Sequence, residues 1–376
     1  MRCSVSGGGT GGHIYPALAV ARALRDARRD VELDYIGGVR GFERRLVAEH
    51  PMGNELPYHE LLVRSLRSAG VSLHTVLDPV RLGASVPQAW WLLGRLRPAA
   101  LFTTGGYLAL PLVLAARARG VPTLVWEGNV LPGRATRAIG RYATRVAVSF
   151  PPTLEAFGAN AFVSGTPIRS FAGIDRRSAR ASFGVGARER LLLVFGGSQA
   201  VARLNAALAG ALPALLADWH VLHLSGEQGM ADASATREAL PDELRPRYRP
   251  EPFLGERMAD ALVAADLVVG RAGSSTCAEL AAVGVASILV PYPFAGAHQR
   301  YNASYLADEG AAVMVPDEEL DARRLLAEAT ALLEDERRMA MATAARRLGR
   351  PDAARVLADA LLALAERRPL TADPAG

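Results

Sequence analysis

At 376 residues the chain is too long for one ordinary domain and comfortable for two. Half of its residues are hydrophobic and 22% are charged, which supports sizeable cores and excludes a disordered chain. The net charge of +5 rests on arginine, because the sequence contains no lysine; a lysine phosphate loop, a Schiff base and a lysine general base are all excluded. Cys3 and Cys277 are the only cysteines, too few for a thiolate metal cluster or a disulfide framework. No stretch offers about 18 uninterrupted apolar residues. The first residues run into a strand and a glycine loop, without the basic and apolar regions of a leader peptide. A cytoplasmic protein that touches a membrane only peripherally is expected.

In chain order, short β-branched runs alternate with Ala- and Leu-rich helical stretches. Strands are predicted at residues 3–6, 32–36, 101–104, 123–126 and 145–148, with helices over 15–27 and 107–119. The pattern pauses over 150–177, which is rich in proline and glycine. It resumes with a strand at 190–195, a glycine turn, a helix over about 200–217, and strands at 220–224, 266–269 and 286–290. Residues 335–368 read as helical, with breaks near Gly349 and Pro351. Alternation of this kind implies parallel sheets, and hence an α/β chain of two Rossmann-like, doubly wound domains facing across a cleft. The expected division is 1–163 for the first domain, 164–348 for the second, and 349–376 for a helix returning to the first domain, plus a tail. Ligands of such sheets sit at the carboxyl ends of the strands.

The first strand opens into a loop holding Gly7, Gly8, Gly9, Gly11 and Gly12, just ahead of a helix. Glycines allow close backbone approach, and a helix N-terminus offers unpaired amides and a partial positive charge. The loop therefore suits an anion such as a diphosphate. Gly7, Gly9 and Gly12 also satisfy GxGxxG, and Asp34 lies where a dinucleotide-binding acid is wanted, so a nicotinamide enzyme is an open alternative. His13 follows the loop directly; a neutral imidazole beside a phosphate site suits a general base. A capping or packing histidine is the plainer reading.

The segment GGGTGGHIYPALA resembles the MurG family of cell-wall glycosyltransferases. So do TGGY at 104–107, EGN at 127–129, GTPIR at 165–169, GGSQ at 196–199, HLSG at 223–226, RAGSSTCAEL at 271–280 and HQRYNA at 298–303. The motifs run in one order through most of the chain. The resemblance implies the GT-B fold and transfer of N-acetylglucosamine from UDP-N-acetylglucosamine to undecaprenyl-diphosphate-linked muramyl-pentapeptide. It also implies a position on the cytoplasmic face of the membrane. The chain departs from the family pattern at Trp126, Gly128, Thr166, Ala200 and Ala297, which bears on acceptor contacts and rate more than on the donor.

In the second half, Gly196–Gln199 is another strand–glycine–helix junction whose amides and Ser198 hydroxyl suit a donor phosphate, which a dehydrogenase does not need. The resemblance gives Arg169 the neutralisation of the departing diphosphate, Glu279 the uridine ribose and Gln299 the donor sugar. It extends the donor set to Thr10, Gly11, Gly12, Asn129, Ser198, Gln199, Arg271, Ser274 and Thr276. Gly11, Gly12, His13, Tyr107, Glu127 and Asn129 face the acceptor. His13 is the candidate base and Glu127 its competitor. No Asp-x-Asp pair occurs, which favours leaving-group stabilisation without a metal; no metal or other cofactor is expected. Residues 63–97 carry Arg64, Arg67, Arg81, Arg95 and Arg97 beside Trp90 and Trp91, as an anionic lipid surface would require. Core packing explains at least half of the apolar positions there. No nucleic-acid recognition module accompanies these arginines. A relative with another acceptor, a UDP-sugar epimerase and a non-catalytic binder of the nucleotide sugar or lipid remain as alternatives.

Overall fold

The computed structural model describes residues 1–39, 41–63, 73–196, 202–293 and 298–370, with the backbone alone at 41, 42 and 73–82. Ser198 and Gln199 lie outside the described residues, as do Arg64, Arg67, Ala200 and Ala297. The chain forms two compact units. Unit 1 is Met1–Ile168 together with the chain from Pro351, and unit 2 is Arg169–Arg350.

Unit 1 is built on seven parallel strands: β1 (Arg2–Ser6), β2 (Glu32–Gly38), β3 (Tyr58–Leu61), β4 (Ala100–Thr103), β5 (Thr123–Glu127), β6 (Arg145–Val148) and β7 (Ala161–Val163). Their order is β3-β2-β1-β4-β5-β6-β7. Helices cover both faces, as the near-continuous burial of the central strands demands. On one face the helix Gly11–Ala27 presents Ile14, Leu18, Ala21 and Leu24 at helical spacing, and they share a core with Leu357 and Leu361 of the helix Ala353–Ala365. On the other, Leu92, Leu93 and Leu96 of the helix Leu73–Leu96 join Leu108 and Leu112 of the helix Gly106–Ala118 over Ile36 and Leu101.

Unit 2 repeats the plan with six parallel strands: β8 (Arg190–Phe195), β9 (Trp219–Leu224), β10 (Tyr248–Glu251), β11 (Leu267–Gly270), β12 (Ala286–Leu289) and β13 (Val313–Met314). Their order is β10-β9-β8-β11-β12-β13. Its largest core cluster sets Leu192, Val194, Val269 and Ile288 of the sheet against Leu204, Leu208, Leu212 and Leu325 of the helices.

Two Rossmann-like sheets were expected and two are found. The first helix begins at Gly11, four residues before the predicted start, because a helix's first N–H groups need no intrahelical partner and glycine is tolerated there. The strands β3, β7, β10 and β13 escaped the sequence reading. Each is short, and their burial is partial, so none carries a long apolar run. Strand order reverses between β1 and β4 in unit 1 and between β8 and β11 in unit 2. These two switch points are where ligands of such sheets bind.

Candidate active site

At the switch point of unit 1, β1 leads into the glycine loop. Gly9 adopts φ +97°, a conformation that side chains resist, and a Cβ on Gly7 would run into the carbonyl of His13. Part of the glycine richness thus serves packing. The loop's amides are not all open to a ligand: Gly9 donates to Glu43 Oε1 at 2.7 Å. His13 is the third residue of the helix. Its Nδ1 meets the Thr104 carbonyl at 2.8 Å, and the Thr104 hydroxyl donates to the His13 carbonyl at 3.0 Å. A carbonyl only accepts, so this contact places the proton on Nδ1 and makes Nε2 the basic nitrogen. Nε2 lies beside Gly106, where an added Cβ would stand 3.9 Å away. Thr10 is the helix N-cap without a side-chain capping bond; it and Gly12 are exposed, whereas Gly11 is half-buried.

Tyr107, in the first turn of the helix Gly106–Ala118, donates its hydroxyl to Glu43. Glu127 ends β5 and is buried. Its Oε1 accepts from the Asn129 backbone at 3.0 Å and from Asn129 Nδ2 at 3.1 Å, and its Oε2 accepts from the Gly133 amide at 3.0 Å. Glu127 therefore clasps the loop that follows its own strand, with three donors on its lone pairs.

Two departures from the family pattern have structural explanations. Trp126 is 1% exposed and donates Nε1–H to the Gly165 carbonyl at 3.1 Å, so it belongs to the core of unit 1. Thr166 is buried, with its hydroxyl on Ser149 Oγ at 2.8 Å. The nicotinamide alternative loses its acid: β2 runs on to Gly38, leaving Asp34 in mid-strand, where its carboxylate meets His59 Nε2 at 3.1 Å and Arg2 Nε at 3.5 Å.

At the switch point of unit 2, β11 leads through Arg271 to the helix Ser274–Val283. Gly273 is that helix's N-cap, and Ser274 and Thr276 stand half-buried in its first turn. Arg271 is buried, donates to the Val290 carbonyl at 3.2 Å and pairs with Asp317, which also faces Arg203 Nε at 3.3 Å. Glu279 is one turn into the helix and nine-tenths buried. Burial pushes its carboxyl above the ordinary value, against the pull of Arg169, whose Nε donates to Oε1 at 2.7 Å. Arg169 also reaches the Gly255 carbonyl at 3.3 Å. Gln299 accepts the Tyr292 amide at 2.9 Å, committing its carbonyl end to the backbone. Its NH₂ group is the end that a sugar can meet. Asn302, fully buried, donates to the Ala272 carbonyl at 3.1 Å and fixes the segment ahead of the helix.

Sequence reasoning missed a buried polar network elsewhere in unit 2. His223 at the end of β9 contacts the Tyr248 hydroxyl at 2.8 Å and Asn205 Oδ1 at 3.0 Å, and burial lowers its imidazole to about 4. It also missed Glu43. A carboxylate four positions before buried Val47, on the apolar stripe of its helix, was the available signal. Among the described residues no cluster of three or more His, Cys, Asp or Glu side chains can hold a metal ion, and no helix is long and apolar enough to cross a membrane. Trp90 and Trp91 are 48% and 59% exposed, with Arg119 and Arg95 over their rings at 3.7 and 5.5 Å.

The chain matches known proteins over nearly its whole length. The glycosyltransferase family 28 N-terminal domain matches residues 4–148 and the C-terminal domain of the same family residues 191–357. A UDP-N-acetylglucosamine–N-acetylmuramyl-(pentapeptide) pyrophosphoryl-undecaprenol N-acetylglucosamine transferase of Desulforudis audaxviator is 38% identical over 374 residues, covering 97% of this chain and 99% of that one. The crystal structure of MurG from Acinetobacter baumannii matches with a TM-score of 0.79 and 29% identity, over 96% of this chain and 99% of that chain. A UDP-GlcNAc 2-epimerase from Neisseria meningitidis, TM-score 0.69, covers 96% of this chain and 100% of its own at 11% identity, a likeness of fold alone.

Proposed function

The chain belongs to glycosyltransferase family 28, in its MurG group, and on that premise we propose that it transfers N-acetylglucosamine from UDP-N-acetylglucosamine to a lipid-diphosphate-linked muramyl-pentapeptide in peptidoglycan synthesis. The observation that carries this at the residue level is the His13–Thr104 contact, which sets one tautomer of a histidine at a sheet's switch point beside a glycine loop. The C4 hydroxyl of the acceptor attacks the anomeric carbon, its proton passes to His13 Nε2, and the bond to the UDP oxygen breaks on the opposite side with inversion. Tyr107, Glu127 and Asn129 shape the acceptor side together with Gly11 and Gly12, and Thr10 belongs to the donor set.

Unit 2 takes the donor. Glu279 accepts the ribose hydroxyls, Gln299 meets the sugar, and Ser274 and Thr276 offer hydroxyls in a helix's first turn. Ser198 and Gln199 complete the phosphate loop in this reading. Arg271, held by Asp317, acts by fixing the β11 turn rather than as a mobile clamp. Arg169 is the cation that meets charge developing on the diphosphate, so the chemistry needs no metal ion. The Trp90–Trp91 face, with Arg95 and Arg119, is the peripheral contact with the cytoplasmic surface of the membrane.

The test is UDP release by the purified chain with UDP-N-acetylglucosamine in EDTA, with and without a short-chain lipid-diphosphate muramyl-pentapeptide. Acceptor-dependent release is expected. Donor binding without release would reduce the chain to a nucleotide-sugar binder, and free sugar without acceptor would turn the assignment towards epimerase chemistry.

A further inference from the structure

Glu43 is 1% exposed, in the helix Gly41–Glu49 that follows β2. A buried carboxylate persists when its oxygens are supplied with donors, and here they come from three separate parts of unit 1. The Gly9 amide at the crown of the glycine loop donates at 2.7 Å, the Gly38 amide at the end of β2 donates at 2.9 Å, and the Tyr107 hydroxyl donates from the first turn of its helix. That helix follows directly on Thr104 and Gly105, and Thr104 is the residue that orients His13. The surroundings are close-fitting: a Cβ on Gly8 or Gly38 would stand within 3.0 or 2.8 Å of the Glu43 carboxylate, and one on Gly38 also 3.1 Å from the Tyr107 hydroxyl. Gly9, at φ +97°, belongs to neither the strand nor the helix beside it, and Glu43 takes the amide that would otherwise need another partner.

We propose that Glu43 is a positioning residue for the acceptor half of the reaction. By tying the loop crown to Tyr107, it fixes the backbone that receives the acceptor's diphosphate with respect to the base that takes the hydroxyl proton. This rests on the transferase reading above. Among the described residues all its contacts lie in unit 1, so its removal should be felt by the acceptor and not by the donor.

The experiment compares wild type, Glu43→Ala, Glu43→Gln and Tyr107→Phe in steady-state UDP release, with donor and acceptor varied separately. For Glu43→Ala, acceptor kcat/KM should fall roughly 10- to 100-fold, as loss of hydrogen bonds to a charged group implies. Donor KM should move by no more than about twofold. Glu43→Gln, which keeps one acceptor oxygen, for Gly9 and Tyr107 or for Gly38 but not for both sets, should retain more acceptor kcat/KM than Glu43→Ala. Tyr107→Phe, which removes only the phenol's bond, tests the same link in a fold that Glu43→Ala fails to reach, and should also lower acceptor kcat/KM selectively. Unchanged acceptor parameters in Glu43→Gln and Tyr107→Phe, or equal losses for donor and acceptor, would overturn the proposal. A wild-type chain that ignores the acceptor would instead overturn the transferase reading itself.

Discussion

Arg169 and Glu279 lie 110 residues apart and are joined by a 2.7 Å hydrogen-bonded ion pair, so the side chain assigned to the diphosphate holds the side chain assigned to the ribose. Binding a nucleotide therefore means sharing or exchanging a contact that already exists. The carboxyl of Glu279 sits above its ordinary value through burial, and Arg169 is the group pulling it back. Arg169→Ala should weaken UDP binding about tenfold, the scale of one charge-assisted contact. The loss should deepen as the pH falls from 7 towards 5, because without the guanidinium the carboxyl takes its proton at a higher pH and can no longer accept both ribose hydroxyls. Calorimetric titration with UDP at the two pH values checks this; equal affinities for variant and wild type at both would refute it.

His13→Ala should lower kcat by roughly 10²- to 10⁴-fold, the usual worth of a placed base, with UDP affinity within about twofold of wild type. Glu127→Ala should behave differently. It strips three donors of their acceptor and so loosens residues 128–133, lowering the melting temperature as well as turnover. If Glu127→Gln lost turnover as completely as His13→Ala while its melting temperature stayed put, the roles of the two residues would have to be exchanged.

His223 gives the fold an acid-sensitive element. Its folded-state value of about 4 lies below the 6.5 of an unfolded chain, so between those values the unfolded state binds the extra proton. Its contribution is fully present above about pH 6.5 and drains away as the pH falls towards 4, by up to roughly 3 kcal/mol. Denaturant unfolding of unit 2 at pH 7 and pH 4.5 should show a steeper acid loss in wild type than in His223→Gln. Parallel losses would mean that the carboxylates alone set the acid limit.

Trp90→Ser with Trp91→Ser should reduce co-sedimentation with anionic vesicles severalfold while leaving the melting temperature within a few degrees, since both rings are about half exposed. Leu93→Ala in the same helix should do the reverse. It empties a core position 1% exposed and costs about 2–5 kcal/mol, with vesicle binding retained by the protein that still folds. Vesicle binding indifferent to both tryptophans would remove this face from the membrane assignment.

Much of the architecture was legible in the sequence because central strands of a parallel sheet are buried on both faces and show as short apolar runs. The LLLVF run of β8 and the LVVG run of β11 are of this kind. Short or partly exposed strands carry no such mark, and so YHEL and YRPE passed unnoticed. The site was legible where a residue type announces its chemistry next to a glycine turn, as with His13. It was illegible where the partner comes from a distant segment. Nothing local to Arg169 indicates that it meets Glu279, and in GFERRLVAE only the helical spacing to Val47 sets the buried Glu43 apart from the exposed Arg44 and Arg45 beside it. Trp126 shows the converse: a conspicuous departure within a motif that the core absorbs through one bond to Gly165.

The helix Ala353–Ala365 places Leu357 and Leu361 in the same core as Ile14 and Leu18, near the opposite end of the sequence. A chain emerging from the ribosome presents unit 2 whole while unit 1 still lacks this helix, and Ile14, Leu18 and Leu24 must wait through all of unit 2 for their cover. Unit 2 is therefore the part able to complete itself first during synthesis, and unit 1 the part that must wait for the helix Ala353–Ala365. A truncation placed at Arg350 would leave an apolar face on the first sheet's helices, and its product would be a client for chaperones rather than a smaller working protein.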